Sequence, residues 1–105
     1  MEGNVLRCDV SRPAERVVVV TCHGRLVAGT SDTLKETVKP LIKEGGEIIV
    51  DLDDVEFVDS MGLGALVGLK VSAVGAGYCT LEFRNLSKRI QELVRMTHLS
   101  DLFKS

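Results

Sequence analysis

Short apolar runs, separated by polar or glycine-rich segments, give this chain a regular pattern. Runs rich in β-branched residues at 5–10, 17–24, 47–52 and 79–83 predict four strands. Segments of helical character follow the second, third and fourth strands. Because strands separated by helices favour right-handed crossovers, we expect a largely parallel sheet. The polar turn at 11–16 joins the first two strands and predicts an antiparallel hairpin at one edge.

The first helix is predicted from apolar residues that recur at helical spacing. Its inner face carries Leu34, Val38, Leu41 and Ile42. Its start can be capped by Thr30, Ser31 or Asp32. Pro40 predicts a kink, and the two glycines at 45–46 predict the end of the helix.

The middle of the chain changes character twice. Residues 47–52 lack polar alternation, which is typical of a strand covered on both faces. Residues 53–59 are acidic, and we predict a loop there. From Met61 to Ala76 the residues are small or apolar almost all round, which indicates a buried helix that is closed by the glycine-rich segment 75–78.

The last helix is amphipathic, and Ser87 is its predicted N-cap. Its inner face is predicted to carry Leu86, Ile90, Leu93, Val94 and Thr97. Beyond it, the tail is expected to pack back against the body through Leu99, Leu102 and Phe103.

The composition favours a small globular domain over several other classes of protein. A chain of 105 residues with 45% apolar and 27% charged residues predicts one domain, residues 1–105. The formal charge is -2 and no basic tract is present, so we expect no nucleic-acid binding. The apolar runs are far shorter than the ~20 residues that span a bilayer, and no signal-peptide pattern opens the sequence. We therefore expect a cytoplasmic protein without membrane insertion.

The cysteines and histidines show no pattern of a metal site. Cys8, Cys22 and Cys79 are an odd number without a C-x-x-C pair and lie in apolar, strand-like settings, so we expect buried, reduced thiols. His23 and His98 lie far apart and fit no metal-ligand spacing. We predict neither a metal nor a cofactor.

Ser60 stands where a strand and its loop pass into a helix, and its sequence context leaves three interpretations open. It can cap the helix, a task for which Asp59 competes. It can be a nucleophile, but Val58 stands where the nucleophile elbow has glycine, and His98 is the only histidine that follows. It can also accept a modification.

The glycines after Ser60 have a steric explanation. Gly62 and Gly64 resemble half of a dinucleotide fingerprint, but they lie inside the predicted helix rather than in a loop before it. Each glycine costs about 1 kcal/mol in a helix interior relative to alanine. Small residues at these positions and at Gly68 allow close approach of another backbone, from the sheet or from a partner.

A phosphate on Ser60 would change binding more than folding. It would add roughly -1.5 to -2 charges at the positive end of a helix dipole, where an anion is tolerated. The rim around Ser60 is expected to be acidic already, from Asp51, Asp53, Asp54, Glu56 and Asp59. A further dianion in a matched interface would cost on the order of 3 kcal/mol, about a hundredfold in affinity. Ser60 can thus act as an electrostatic switch without a conformational change.

Three segments together resemble a known family. "GGEIIVDLDDVEFVDSMGLGALVGL" at 45–69 resembles the central motif of STAS domains, the anti-sigma-factor antagonists of bacteria. "GRLVAGTSDTLKETV" at 24–38 resembles the earlier Gly-x-Leu block of that family. "LEFRNLSKRIQELVRMTHLSDLF" at 81–103 resembles its closing helix and tail. The resemblance implies a small α/β domain whose mixed sheet of four to five strands has an antiparallel edge, with helices mainly on one face.

The resemblance also implies a switch protein that is not an enzyme. Ser60 would be phosphorylated by its partner, an anti-sigma factor that is itself a serine kinase. The unphosphorylated protein would bind that kinase and release the sigma factor, and a metal-dependent serine phosphatase would reset it. The implied docking residues are Asp59, Ser60, Met61, Gly62, Leu63 and Gly64. The free protein would be a monomer or a weak dimer.

Two departures from the family pattern concern this switch. Val27 stands where the family has an aspartate near the phosphorylated serine, and Met61 replaces a residue that is often small. One alternative is a STAS-like docking subunit of a transporter ATPase or signalling scaffold, without a phosphorylation cycle. Another is a small-ligand or nucleotide-binding module.

Overall fold

Seven elements follow one another in the predicted order. This computed structural model describes residues 5–99. The strands are β1 (Leu6–Ala14), β2 (Val17–Leu26), β3 (Gly46–Val58) and β4 (Cys79–Arg84). The helices are α1 (Ser31–Glu44), α2 (Ser60–Ala76) and α3 (Lys88–Met96). Leu102 and Phe103, which were expected to pack the tail, lie outside the described residues.

The strands form one sheet in the order β1-β2-β3-β4. β1 pairs with β2 in antiparallel fashion, whereas β2–β3 and β3–β4 are parallel. The prediction of a parallel sheet with an antiparallel edge is confirmed. The hairpin turn is shorter than predicted, because β1 continues to Ala14 with a register shift after Ser11. β1 is an edge strand, which can accommodate Pro13 because the missing N–H can face away from the sheet.

One hydrophobic core binds the helices to the sheet. Alternate residues of β2 and β3 are buried, as the two-residue period of a strand requires. All four predicted inner-face residues of α1 are buried. From α3, Ile90 and Val94 join the same cluster, and Leu99 packs against it as expected. Thr97 does not: it is exposed at the C-cap, where its hydroxyl donates to the carbonyl of Leu93.

The predicted acidic loop at 53–59 is wrong, because β3 continues through it to Val58. The register of β3 against β2 shifts between Thr21 and His23 and again between Gly24 and Arg25. At each shift β3 carries one extra residue, the mark of a β-bulge. The bulges change the period of burial from two residues to three. The buried side chains in this part of β3 are therefore Leu52, Val55 and Val58.

The earlier part of β3 only partly fits the expectation of a strand covered on both faces. Ile48 and Val50 face the helices and are fully buried. Ile49 points to the opposite side of the strand and is only 5% exposed. Its neighbours in the sheet, Val19 and Glu82, are half-buried, so the outer face is covered at Ile49 rather than along the whole strand.

The helix ends follow the sequence signals, with one exception. Ser87 caps α3 by accepting a hydrogen bond from the Ile90 amide at 3.1 Å, as predicted. Gly45 ends α1, and α2 ends at Gly77 with the left-handed backbone that favours glycine. Thr30 occupies the N-cap position of α1 but makes no side-chain bond to its first turn. Within residues 5–99, no helix reaches both the length and the hydropathy that a membrane crossing requires.

Candidate functional site at the start of helix α2

Asp59 is the residue that caps α2. It has extended backbone geometry, and its Oδ1 accepts a hydrogen bond from the Gly62 amide at 2.8 Å. Its carbonyl accepts the first helical hydrogen bond, from the Leu63 amide at 2.9 Å. Side-chain acceptors at this position satisfy amides that a helix start otherwise leaves without partners. Of the two residues that competed for the cap, the structure selects Asp59 over Ser60.

The same carboxylate ties the helix to the end of β2. Asp59 Oδ2 accepts a hydrogen bond from the Ala28 amide at 3.1 Å, and the Asp59 amide donates to the Leu26 carbonyl at 3.2 Å. One side chain therefore joins three segments: the end of β3, the start of α2 and the β2–α1 connection. The start of α2 is held in place from both sides.

Thr30 fixes the β2–α1 connection from within. Its hydroxyl accepts from the Val27 amide at 3.0 Å and donates to the Arg25 carbonyl at 2.6 Å. Thr30 and Val27 are buried, at 5% and 8% exposure. Thr30 was predicted as a possible cap of α1. Its hydroxyl instead bonds to the backbone of the β2–α1 connection, the segment that contacts Asp59.

Gly62 is required by close packing. A Cβ at this position would overlap the carbonyl oxygen of Leu26, so α2 lies directly against the end of β2. The prediction that a glycine admits a neighbouring backbone is confirmed here, and the backbone belongs to the sheet. Gly64 and Gly68 have no such neighbour, because within residues 5–99 no atom beyond their chain neighbours and the adjacent backbone of α2 lies within 4 Å of their Cβ positions. Nothing inside the described chain requires glycine at those two positions.

Ser60 is the first residue of α2 and is exposed. Within residues 5–99, its hydroxyl has no hydrogen bond to another protein group. The cap has been taken by Asp59, so Ser60 is free at the positive end of a 17-residue helix. A hydroxyl in this position is accessible to a modifying enzyme, and the body of the fold does not depend on it.

One side of α2 is open to solvent, which corrects the prediction of a buried helix. We call this side the α2 exposed face, and it comprises Ser60, Met61, Gly64, Gly68, Val71 and Gly75. Met61 is 59% exposed and Val71 is 54% exposed. These residues recur at intervals of three and four and share one face of the helix with Ser60. The face is therefore apolar, lined with small residues and continuous with the exposed hydroxyl.

Two of the predicted docking residues offer no surface. The Leu63 side chain is 5% exposed and packs in the core, and Gly62 is buried against Leu26. Asp59 is half-buried and engaged in its cap. Of the six implied docking residues, only Ser60, Met61 and Gly64 are exposed.

The acids of β3 do not surround Ser60. A strand rises at most about 3.3 Å per residue, so along β3 Asp51 and Asp53 lie up to roughly 20–26 Å from Asp59, and Glu56 lies up to roughly 10 Å from it. Asp51 Oδ1 accepts from the Asn85 side-chain amide at 3.0 Å, and Asp54 Oδ2 lies 2.6 Å from His23 Nδ1. The expected acidic rim therefore extends along a strand instead of forming a ring around the serine.

Val27 places an apolar side chain where the family pattern has a carboxylate. The side chain is buried, while the backbone of the next residue, Ala28, reaches Asp59. The connection therefore contacts the start of α2 through a main-chain amide. No group of histidine, cysteine or acidic side chains within residues 5–99 is arranged to hold a metal ion.

Comparison with known proteins agrees with this geometry. The family profile described as the STAS domain matches residues 11–105. The anti-sigma-B factor antagonist of Bacillus subtilis (strain 168) is 33% identical over 89 residues, which cover 84% of this chain and 80% of that protein.

Solved structures show the same fold at lower identity. An anti-sigma factor antagonist from Mycobacterium paratuberculosis has a TM-score of 0.77 and 19% identity, covering 94% of this chain and 83% of that one. The Bacillus cell fate determinant SpoIIAA in its phosphorylated form has a TM-score of 0.72 and 17% identity, covering 93% of this chain and 89% of that one. With a family profile matched over nearly its full length, the chain belongs to the STAS domain family.

Proposed function

We propose that this protein is an anti-sigma factor antagonist that is switched by phosphorylation of Ser60. In the unphosphorylated state it binds an anti-sigma factor that is also a serine kinase, and the sigma factor is released. Phosphorylation of Ser60 ends the binding, and a metal-dependent serine phosphatase restores it. The protein acts in the cytoplasm by binding, not as an enzyme, and is a monomer or weak dimer when free.

One observation carries the proposal: Asp59 caps α2, and Ser60 beside it is exposed and makes no hydrogen bond within residues 5–99. A serine that capped the helix would lose its structural hydrogen bond on modification. Ser60 has no such bond to lose. The proposal is further supported by the curated relative named an anti-sigma-B factor antagonist and by SpoIIAA, which has been solved in phosphorylated and unphosphorylated forms.

The phosphate would act on the complex rather than on the fold. An anion at a helix start is worth about 0.3–1 kcal/mol of stability, and up to ~2 kcal/mol in favourable geometry, so the free protein tolerates it. In an apolar interface the same dianion must lose its water. Met61 and Gly64 are the apolar and small residues next to Ser60 on the α2 exposed face. We expect a loss of about a hundredfold in affinity, or on the order of 3 kcal/mol.

This protein supplies the Ser60 hydroxyl that accepts the phosphate and holds it in position, and the kinase supplies the catalytic groups. Both oxygens of Asp59 are engaged, one by the Gly62 amide and one by the Ala28 amide. In the proposed function this carboxylate positions the start of α2. Val27 adds no carboxylate beside it. The group that deprotonates the hydroxyl comes from the partner.

The direct experiment is to incubate the protein with the candidate anti-sigma factor and ATP and to measure its intact mass. We expect one phosphate, which peptide mapping places on Ser60, and none on Ser60→Ala. Ser87 is the matched control, because it is also a helix-start serine but caps α3. Stable binding of that partner without phosphate transfer would instead favour the docking-subunit alternative.

A further inference from the structure

Cys8 and Cys22 face each other across the hairpin of β1 and β2. They are direct partners in the antiparallel register, and the register is continuous on both sides of them, from Leu6 to Ser11. Residues directly opposed in an antiparallel pair project their side chains from the same face of the sheet. Both thiols therefore point toward the core side, where Cys22 is 1% exposed and Cys8 is half-buried.

The backbone pattern places this pair at one of the close positions of the ladder. The Arg25 amide donates to the Val5 carbonyl at 2.9 Å, which makes that pair a hydrogen-bonded one. Bonded and non-bonded pairs alternate along an antiparallel ladder, so Cys8 and Cys22, three pairs further on, form a non-bonded pair. Such pairs have Cα atoms about 4.5 Å apart, within the range of about 4.4–6.8 Å that a disulfide spans.

The surroundings give the two thiols different reactivity. The Cys22 thiol hydrogen-bonds to Cys8, and this bond holds the pKa of Cys8 below its ordinary value despite burial. The same bond, with burial, raises the pKa of Cys22. Of the two, Cys8 is the more accessible thiol and the one that forms a thiolate more readily. Cys22 is buried and in contact with it.

From this juxtaposition we propose that Cys8 and Cys22 are a peroxide-oxidisable pair that forms a reversible disulfide within the folded chain. The Cys8 thiolate attacks one oxygen of hydrogen peroxide, the O–O bond breaks, and the hydroxide that leaves becomes water by taking up the proton that Cys8 released on ionising. The resulting Cys8 sulfenic acid is attacked by Cys22 sulfur, the S–O bond breaks, and the Cys22 proton leaves with the hydroxyl as water. Two thiols and one peroxide give one disulfide and two waters.

The Cys8–Cys22 disulfide links an edge strand, β1, covalently to the rest of the sheet. Within the described sheet, β1 has only β2 as a strand neighbour and is one of the two edge strands. A link at Cys8 holds β1 in register without moving either strand, because the two residues are already paired. We expect slower amide hydrogen exchange along β1 in the oxidised protein, and no change of pairing. This is a modification site separate from Ser60.

The test uses hydrogen peroxide on the folded full-length protein, followed by quenching, denaturation and thiol alkylation. The reduced chain has three alkylatable thiols, Cys8, Cys22 and Cys79. After peroxide we expect one alkylated thiol, a mass lower by two hydrogens before alkylation, a peptide linking Cys8 to Cys22, and full reversal by dithiothreitol. Cys79→Ser is the matched control and leaves the cross-link intact, whereas Cys8→Ser abolishes it.

Three results would overturn the proposal. One is oxidation of Cys8 to sulfinic acid while Cys22 stays free. Another is a disulfide between two chains through Cys8. The third is a Cys8–Cys22 cross-link that forms only after denaturation. Hydrogen exchange of β1 that is equal in the reduced and oxidised proteins would contradict the proposed fastening of the edge.

Discussion

Asp59 and Gly62 are joined by a 2.8 Å hydrogen bond from the Gly62 amide to the Asp59 carboxylate, and this bond leaves the intervening Ser60 without a structural task. Gly62 must lack a side chain because the Leu26 carbonyl occupies the space where one would be. Asp59 also accepts from the Ala28 amide. The backbone on either side of the exposed Ser60 hydroxyl is therefore held in place by Asp59 and Gly62.

The first prediction separates the cap from the acceptor. Asp59→Ala removes the acceptor of two amides, and we expect it to lower the free energy of unfolding by about 1–2 kcal/mol. Ser60→Ala loses no hydrogen bond and should change it by less than about 0.5 kcal/mol. Urea denaturation of both variants measures the difference. Equal destabilisation would mean that Ser60 shares the cap.

The second prediction concerns the glycines of α2. Gly62→Ala places a methyl group against the Leu26 carbonyl and should destabilise the fold by about 1–3 kcal/mol. Gly64→Ala and Gly68→Ala meet open space and should stabilise it by about 0.5–1 kcal/mol each, since alanine is the better helix former. Thermal and urea unfolding of the three variants provide the check. A neutral Gly62→Ala would contradict the close approach of α2 to β2.

The third prediction separates surface from core within the first turn of α2. Met61→Ala should leave the free energy of unfolding within about 0.5 kcal/mol of wild type and weaken partner binding roughly tenfold, or about 1.4 kcal/mol. Leu63→Ala should cost about 2–5 kcal/mol of stability, because the side chain is buried. Urea denaturation and calorimetric titration with the partner measure the two effects. Full binding by Met61→Ala would remove Met61 from the docking surface.

The fourth prediction is a pH dependence of thiol reactivity. The pKa of Cys8 is lowered by the hydrogen bond from Cys22, whereas burial raises the pKa of Cys79. Since the thiolate is the reactive form, the alkylation rate of Cys8 should reach half its maximum at a lower pH than that of Cys79. Cys22→Ala removes the hydrogen-bond donor and should shift the Cys8 midpoint upward. Iodoacetamide labelling followed by peptide mass spectrometry gives both midpoints, and coincident midpoints in the wild type would contradict the assignment.

The order of strands and helices was predictable because the spacing of apolar residues and the glycines at helix ends are local signals in the sequence. The end of β3 was not, because two bulges changed its burial period from two to three and made a paired strand resemble an acidic loop. The exposed side of α2 was also missed. The residues of α2 are apolar or small on every side of the helix, so the hydrophobic pattern does not indicate which side faces the sheet.

The start of α2 was predictable from the sequence, but the residue that caps it was not. Serine and aspartate are both good N-caps, and only the direction of the Asp59 carboxylate toward the Gly62 amide separates them. The pairing of Cys8 with Cys22 depends on the hairpin register, which is set by a turn shorter than the predicted one. Sequence spacing alone placed these cysteines in strands without placing them opposite each other.

The most direct test of the switch is the affinity of the partner for phosphorylated and unphosphorylated protein, measured by calorimetry on the same preparation. Amide chemical shifts of both forms serve as the control for the fold, and we expect changes confined to the start of α2. The account predicts about a hundredfold weaker binding after phosphorylation of Ser60. Equal affinities, or a loss of affinity accompanied by rearrangement of the core, would contradict it.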